Sequence, residues 1–299
     1  MGVKGLYTYL KKYRKDVFYD LIPKTPLRIG FDAMSILYKY KGNYPDMYPM
    51  LKGLKDAGHR ILFVFDGKPP VEKNAEVKER RDLRDTASSN AEVLRTTLLD
   101  TTLPPQERAI LQYSLARCEF QGWHMTREIR QSFQKALWDM GIPYVKANAE
   151  ADDSLSELVG AGKLDVIVST DMDFLLSGVP RLWIPFRNSN DGVEEVLLST
   201  VLQGENMTLE MFRDAGILCG VEQLRGKVSI QSTLAFSWIR YYKSIEEVVQ
   251  SAIKDPQFEH LKNPGVIQKI RTHFTPGVAW KEQIREDHLE RCAAFMEEL

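Results

Sequence analysis

The chain has 299 residues, 43% hydrophobic and 27% charged, the make-up of a globular protein with a substantial core and length enough for a second lobe rather than a disordered chain. Lys and Arg number 40 against 41 Asp and Glu, so the formal net charge of −1 argues mildly against a general charge-driven nucleic-acid binder, although distribution matters more than the total. No run is long enough to span a bilayer, and Cys118, Cys219 and Cys292 are odd in number, far apart and without metal-site spacing, so reduced thiols and no disulfide framework are expected.

The segment Met1-Gly2-Val3-Lys4-Gly5-Leu6 lacks the apolar stretch of a secretory signal, and an intracellular protein is expected. Lys11-Lys12-Tyr13-Arg14-Lys15 reads as a solvated first helix or a phosphate-contacting face in preference to a nuclear signal, which leaves nucleus and cytoplasm both open. Three apolar runs each stop on an aspartate: Leu27-Arg28-Ile29-Gly30-Phe31-Asp32, Ile61-Leu62-Phe63-Val64-Phe65-Asp66 and Asp165-Val166-Ile167-Val168-Ser169-Thr170-Asp171. Rich in Ile, Val and Phe and without polar alternation, they predict strands covered on both faces, hence an α/β fold with a parallel sheet flanked by helices. Parallel strands put their carboxyl ends on one edge, where ligands bind in open α/β sheets, so the three aspartates are expected to meet.

After Asp66 the chain is charged and rich in helix formers from Val71 to Leu99, is broken at Leu103-Pro104-Pro105, and is helical again from Gln106 to about Met140. Two helices joined by a turn would form an arch at about 71–140. From Lys68 to Arg84 the chain carries Lys68, Lys73, Lys78, Arg80, Arg81 and Arg84, mixed with Glu72, Glu76, Glu79 and Asp82. A solvated helix with ion pairs is one reading. The other notes that Lys73, Arg80 and Arg84, spaced by seven and four, share a helical face that could grip a phosphate. Beyond the arch, Ile142-Pro143-Tyr144-Val145 is strand-like and leads into Glu150, Asp152 and Asp153, while Asp173 follows Asp171 by two.

Taken singly, each of these acids is a loop-start, capping or helix-dipole residue. Taken together they need a cation, because two carboxylates about 4 Å apart repel by roughly 4 kcal/mol at an effective dielectric near 20. Hard oxygen donors without His or Cys suit Mg²⁺ or Mn²⁺ rather than zinc, and neighbouring divalent ions serve phosphoryl-ester hydrolysis. The pattern reads as a metal nuclease site.

The N-terminal Met1–Leu6 segment, Phe31-Asp32-Ala33-Met34-Ser35-Ile36-Leu37-Tyr38, Val64-Phe65-Asp66-Gly67-Lys68-Pro69-Pro70, Gly141-Ile142-Pro143-Tyr144, Glu150-Ala151-Asp152, Ala161-Gly162-Lys163 and Ser169-Thr170-Asp171-Met172-Asp173-Phe174-Leu175 resemble, in order, the flap endonuclease family of structure-specific 5′ nucleases. A weaker echo follows at Tyr242-Lys243-Ser244-Ile245-Glu246-Glu247-Val248-Val249. The resemblance implies a nuclease core of the PIN type at 1–215, including the arch, and a smaller helical DNA-binding lobe at 216–299. It implies that Asp32, Asp66, Glu150, Asp152, Asp171 and Asp173 hold two Mg²⁺ ions, with Mn²⁺ able to substitute and Asp153 an alternative to Asp152. Lys73 and Arg80 match arch bases at the reacting phosphate, with Arg81 and Arg84 nearby. Tyr38 matches an aromatic that stacks on a base, its alternative being a core tyrosine, and Gly2 matches a position lying against the active site. The arch of the family admits a single strand and excludes duplex.

Departures from the family lie towards the C-terminus. Where a seventh carboxylate is usual in a Gly-Ser-Asp-Tyr block, this chain has Gly220-Val221-Glu222-Gln223, making Glu222 a substitute one methylene longer. The glycine-rich helix–two-turn–helix that binds duplex through potassium is replaced by Gly226-Lys227-Val228-Ser229-Ile230-Gln231-Ser232, leaving Arg225, Lys227 and the serine hydroxyls to contact phosphate. The stretch between Asp32 and Asp66 leaves little room for a junction-opening wedge. With no glutamine-led aromatic box near the C-terminus, sliding-clamp binding is not predicted, and Phe295 is assigned to packing. The expected protein is a monomeric Mg²⁺-dependent 5′ flap endonuclease and 5′ exonuclease acting on DNA flaps, ends or junctions in replication, repair or recombination, without a membrane partner. An RNA-cleaving relative and a catalytically silent nucleic-acid-binding scaffold are the alternatives.

Overall fold

A computed structural model describes residues 2–23, 25–68, 74–224, 227–251 and 256–275. Lys73, Arg225, Gly226, Cys292 and Phe295, named above, lie outside the described residues, as does the C-terminal stretch in which a clamp-binding box was sought.

Among the described residues the strands are β1 (Lys15–Phe18), β2 (Arg28–Asp32), β3 (Arg60–Phe65), β4 (Tyr144–Lys146), β5 (Val166–Val168), β6 (Arg181–Pro185) and β7 (Gly192–Leu197). They form one 7-stranded sheet in the order β1-β7-β6-β5-β2-β3-β4. The helices, in chain order, are α1 (Leu6–Tyr9), α2 (Ala33–Lys39), α3 (Tyr48–Asp56), α4 (Asn74–Leu98), α5 (Pro105–Gly122), α6 (Arg127–Asp139), α7 (Ala151–Gly160), α8 (Asp173–Leu176), α9 (Leu198–Glu205), α10 (Leu209–Gly220), α11 (Ser232–Tyr242), α12 (Ile245–Gln250) and α13 (Pro264–His273).

From β6 through β5, β2 and β3 to β4 the pairings are parallel, as the apolar runs predict. The sheet is mixed at one edge, where β7 pairs antiparallel with both β6 and β1. The few residues 186–191 between β6 and β7 are too short for a crossover helix, so the chain turns back as a hairpin. The exposed, charge-bearing β1 carries no apolar run by which to predict it.

Side-chain alternation divides two apolar layers across the sheet. Leu62, Val64, Ile167, Leu182 and Val196 join the layer that holds Leu155 of α7, Phe174 of α8 and Phe236 of α11, and that layer continues through to Phe274. Ile61, Phe63, Phe65, Val168 and Trp183 join the opposite layer with Leu37 of α2, Leu51 of α3 and Phe133 of α6. Gly30 lets α7 and the following loop approach, since a Cβ there would lie 2.6 Å from Leu164 Cδ1 and 2.7 Å from Leu155 Cδ2.

The helical region after Asp66 differs from the expected pair. Helices α4 and α5 form a hairpin outside both apolar layers, held by Arg95 to Glu119 at 2.8 Å and by Gly122, where a Cβ would lie 2.6 Å from Ser88 Oγ. The second run, expected to continue to Met140, stops at Gly122 and restarts at Arg127, because Thr126 Oγ1 accepts the Ile129 N–H at 3.2 Å and caps a new helix. The restarted α6 buries Phe133 and Leu137 in the core and so is not part of the arch.

Candidate active site

Strands β2 and β5 are neighbours whose successors lie in opposite directions, β3 on one side and β6 on the other. This is the switch point at which strand carboxyl ends leave a crevice. Asp32 closes β2 and caps α2, accepting the Ser35 N–H at 3.0 Å through Oδ1 and the Ser169 hydroxyl at 2.8 Å through Oδ2. Only 5% of it is exposed, and burial, together with repulsion from Asp66 and Asp171, pushes its carboxyl up to about 7.

Asp66 follows β3, and its Oδ1 accepts the Ala151 N–H at 2.9 Å, so it sits at the start of α7. The backbone beyond it is pressed onto the loop after β4, with the Gly67 N–H donating to Ala149 O at 2.6 Å and no space for a Cβ. Glu150 occupies the N-cap position of α7, and Asp152 and Asp153 lie in its first turn. Burial and the charges of Asp32, Asp171 and Asp66 raise the Asp152 carboxyl well above the usual range, so Asp152 feels the strand-end cluster, with Asp153 beside it in the same turn.

Asp171 follows β5, and its Oδ1 accepts the Asp173 N–H at 2.9 Å. Burial, then Asp171 and Glu222, raise the Asp173 carboxyl, whose Oδ1 is buried without a hydrogen-bond partner among the described residues. Gly2 packs on both, at φ 88 in the left-handed region; a Cβ there would collide with Asp171 Oδ1 and lie 3.0 Å from Asp173 Oδ1. Glu222 begins a short 3₁₀ turn, Glu222–Leu224, and is ion-paired with Arg80 of α4 across 142 residues of sequence.

The structure thus gathers Asp32, Asp66, Asp152, Asp171, Asp173 and Glu222 into one electrostatically coupled group, bordered by Glu150 and Gly2. Arg84, one turn beyond Arg80, donates through Nε to Arg80 O at 3.1 Å and through Nη1 towards Tyr38 Oη at 3.5 Å. Tyr38 is 38% exposed, which removes the core-tyrosine alternative. Arg81 faces solvent with Asp85 at 3.7 Å, and Lys227 lies exposed after the 3₁₀ turn. Sequence reasoning passed over the hydroxyls that set the carboxylates: Ser35 Oγ and Thr170 Oγ1 share a hydrogen bond at 2.6 Å, and Ser169 bridges Asp32 and the Asp171 N–H. Their signal was positional, a Ser or Thr within three residues of a strand-end Asp.

Among the described residues no three His, Cys, Asp or Glu side chains are placed so that together they could hold a metal ion. The donor set nevertheless suits hard divalent cations: carboxylate oxygens only, one buried without a partner among the described residues, and protons held above their normal affinity by burial and then by mutual repulsion.

A family model described as the XPG I-region matches residues 141–222. Flap endonuclease 1 of Entamoeba histolytica is 30% identical over 275 residues, covering 84% of this chain and 70% of that protein. The chain belongs to the flap endonuclease family. Flap endonuclease 1 of Meyerozyma guilliermondii, another member, is 26% identical over 288 residues, 88% of this chain and 74% of the relative. Solved structures of the same fold include the catalytic core of Rad2 in complex with DNA substrate, with TM-score 0.63 and 16% identity over 99% of this chain and 95% of that one. Flap endonuclease-1 from Methanococcus jannaschii follows at TM-score 0.56 and 17% identity over 97% of each chain.

Proposed function

We propose that this flap endonuclease family member is a Mg²⁺-dependent, structure-specific 5′ nuclease that hydrolyses DNA phosphodiesters at flaps, ends or junctions. The observation that carries the reading is the convergence of acids from the ends of β2, β3 and β5 and from α7 at the sheet's switch point. Asp32, Asp66, Glu150, Asp152, Asp171, Asp173 and Glu222 would hold two divalent ions, which when bound supply an activated water and charge neutralisation at the leaving oxygen.

The chain's own groups do the positioning. Ser169 and the Ser35 N–H fix both oxygens of Asp32, leaving its carboxylate one orientation. Arg80 brings a guanidinium to the edge of the acidic cluster through Glu222, where it can meet the anionic phosphate, with Lys73 assigned the companion role. The hairpin of α4 and α5 would admit a single strand, and Arg81, Arg84, Arg225 and Lys227 would contact backbone phosphate. The division into a nuclease core at 1–215 and a duplex-binding lobe at 216–299 belongs to the same proposal.

The test is cleavage of labelled 5′ flap, nicked duplex, single-stranded DNA and matched RNA, with Mg²⁺ and with chelator. Cutting is expected near the flap junction, abolished by chelator and reduced at least about 100-fold by Asp171→Ala, since a lost ligand misplaces the attacking water. Chelator-resistant cutting would refute the mechanism, and faster cutting of the RNA set would move the substrate to RNA. Among the described residues no helix is long and apolar enough to cross a membrane.

A further inference from the structure

Between β2 and β5 the regular pairing ends before the acids begin. Its register runs Ile29 to Val166, Gly30 to Ile167 and Phe31 to Val168, so Asp32 follows the last paired residue of β2 directly while Asp171 lies further beyond that of β5. The Ser169 N–H turns to the other neighbour and donates to Trp183 O of β6 at 3.0 Å. Adjacent strands of a sheet are rotated against each other by roughly 20°, so strands released from their ladder diverge. The backbone alone therefore does not fix how far apart the two aspartates stand.

Hydroxyls take over where the ladder stops. Ser35 Oγ accepts the Thr170 N–H at 2.8 Å and shares a hydrogen bond with Thr170 Oγ1 at 2.6 Å, across 135 residues of sequence. The N–H of Ser35 holds Asp32 Oδ1 at 3.0 Å, and the residue after Thr170 is Asp171. A second route runs through Ser169, whose Oγ donates to Asp32 Oδ2 at 2.8 Å and accepts the Asp171 N–H at 3.0 Å. Local capping explains the Ser35 N–H on Asp32 and the Asp171 N–H on Ser169. It does not explain Thr170 Oγ1, which reaches from the end of β5 to the first turn of α2.

We propose that the Ser35 and Thr170 hydroxyls bolt the ends of β2 and β5 together, setting the spacing of Asp32 and Asp171 and, through it, the preference of the acidic cluster for Mg²⁺ over larger divalent ions. Mg²⁺ is small and demands near-octahedral oxygens, whereas Ca²⁺ accepts more oxygens at varied distances. Carboxylates held at one spacing suit the first ion, and carboxylates free to adjust suit the second. Ser35 and Thr170 are positioning residues, since they act on the aspartates through hydrogen bonds to the groups that carry them. The inference rests on the nuclease reading for the presence of divalent ions and adds which side chains tune the choice of ion.

Calorimetric titration of the full chain, without DNA, with Mg²⁺ and separately with Ca²⁺ tests this. Thr170→Val keeps the shape and removes the hydroxyl; it is expected to weaken Mg²⁺ binding about tenfold while Ca²⁺ binding changes less than about twofold, and Thr170→Ser restores the Mg²⁺ affinity. Ser35→Ala removes the same bond from the other side and is expected to shift the ratio of the two affinities in the same direction, with no further shift from Thr170→Val in the double variant. A purely structural role would weaken both ions alike. Equal weakening of both, a Val or Ala variant equal to the unsubstituted chain, a Ser variant as impaired as Val, or effects that add in the double variant would overturn the bolt. In each of those cases the unsubstituted chain still binds Mg²⁺; its failure to bind either ion would overturn the nuclease reading as well.

Discussion

At Asp32 a carboxyl is buried beside other acids, and the cost of ionising it there sets a testable pH dependence. Its folded pKa of about 7 stands above an unfolded value of about 3.9, and Asp152 and Asp173 are shifted the same way. Between those values the native state without metal binds more protons than the unfolded chain, so this stabilisation is complete below about pH 4 and is lost as pH rises through about 7. His59 opposes the trend, because burial lowers its pKa and favours the native state as pH rises through about 6.5. Its contribution is common to protein with and without metal. The melting temperature in chelator is therefore expected to fall, relative to that in excess Mg²⁺, as pH rises from about 5 to about 8, by on the order of 2–4 kcal/mol of stability. Parallel curves with and without Mg²⁺ would contradict the coupling of these acids to a cation.

Among the elements, the decisive one is α6, which the sequence joins to the arch and the structure places in the core. Phe133 stands edge-on to Phe63 at 5.3 Å and near Tyr44 at 5.4 Å, fully buried, whereas Trp138 on the same helix is 74% exposed. Phe133→Ala should cost about 3–5 kcal/mol in urea unfolding, and Trp138→Ala about 0.5 kcal/mol or less. Equal costs would detach α6 from the sheet. The break between α5 and α6 was hard to read because both segments are rich in helix formers and because the stop depends on Gly122 meeting Ser88 and on the Thr126 cap. Strands β2, β3 and β5 were legible for the opposite reason: each is an unbroken apolar run buried on both faces, ending where the chain turns polar. Strand β1 was hidden because it is exposed, and its pairing depends on β7, far along the chain.

Across the whole molecule, a largely parallel sheet with a switch between β2 and β5 turns separated acids into neighbours, and apolar layers pack on both of its faces. The gathering of Asp32, Asp66 and Asp171 follows from strand direction, so it was legible in the sequence. The pairing of Arg80 with Glu222 could not, since it joins an arch helix to a distant 3₁₀ turn by tertiary packing alone. The same holds for the shared hydrogen bond of Ser35 and Thr170, which depends on the β2–β5 adjacency. Anomalous scattering from a crystal soaked in Mn²⁺ is the most direct measurement of what the gathered acids do. Two peaks roughly 3.5–4 Å apart are expected, ringed by oxygens of the strand-end aspartates and of Asp152 and Asp173. A map without peaks there, with those side chains turned away from one another into solvent, would contradict the account.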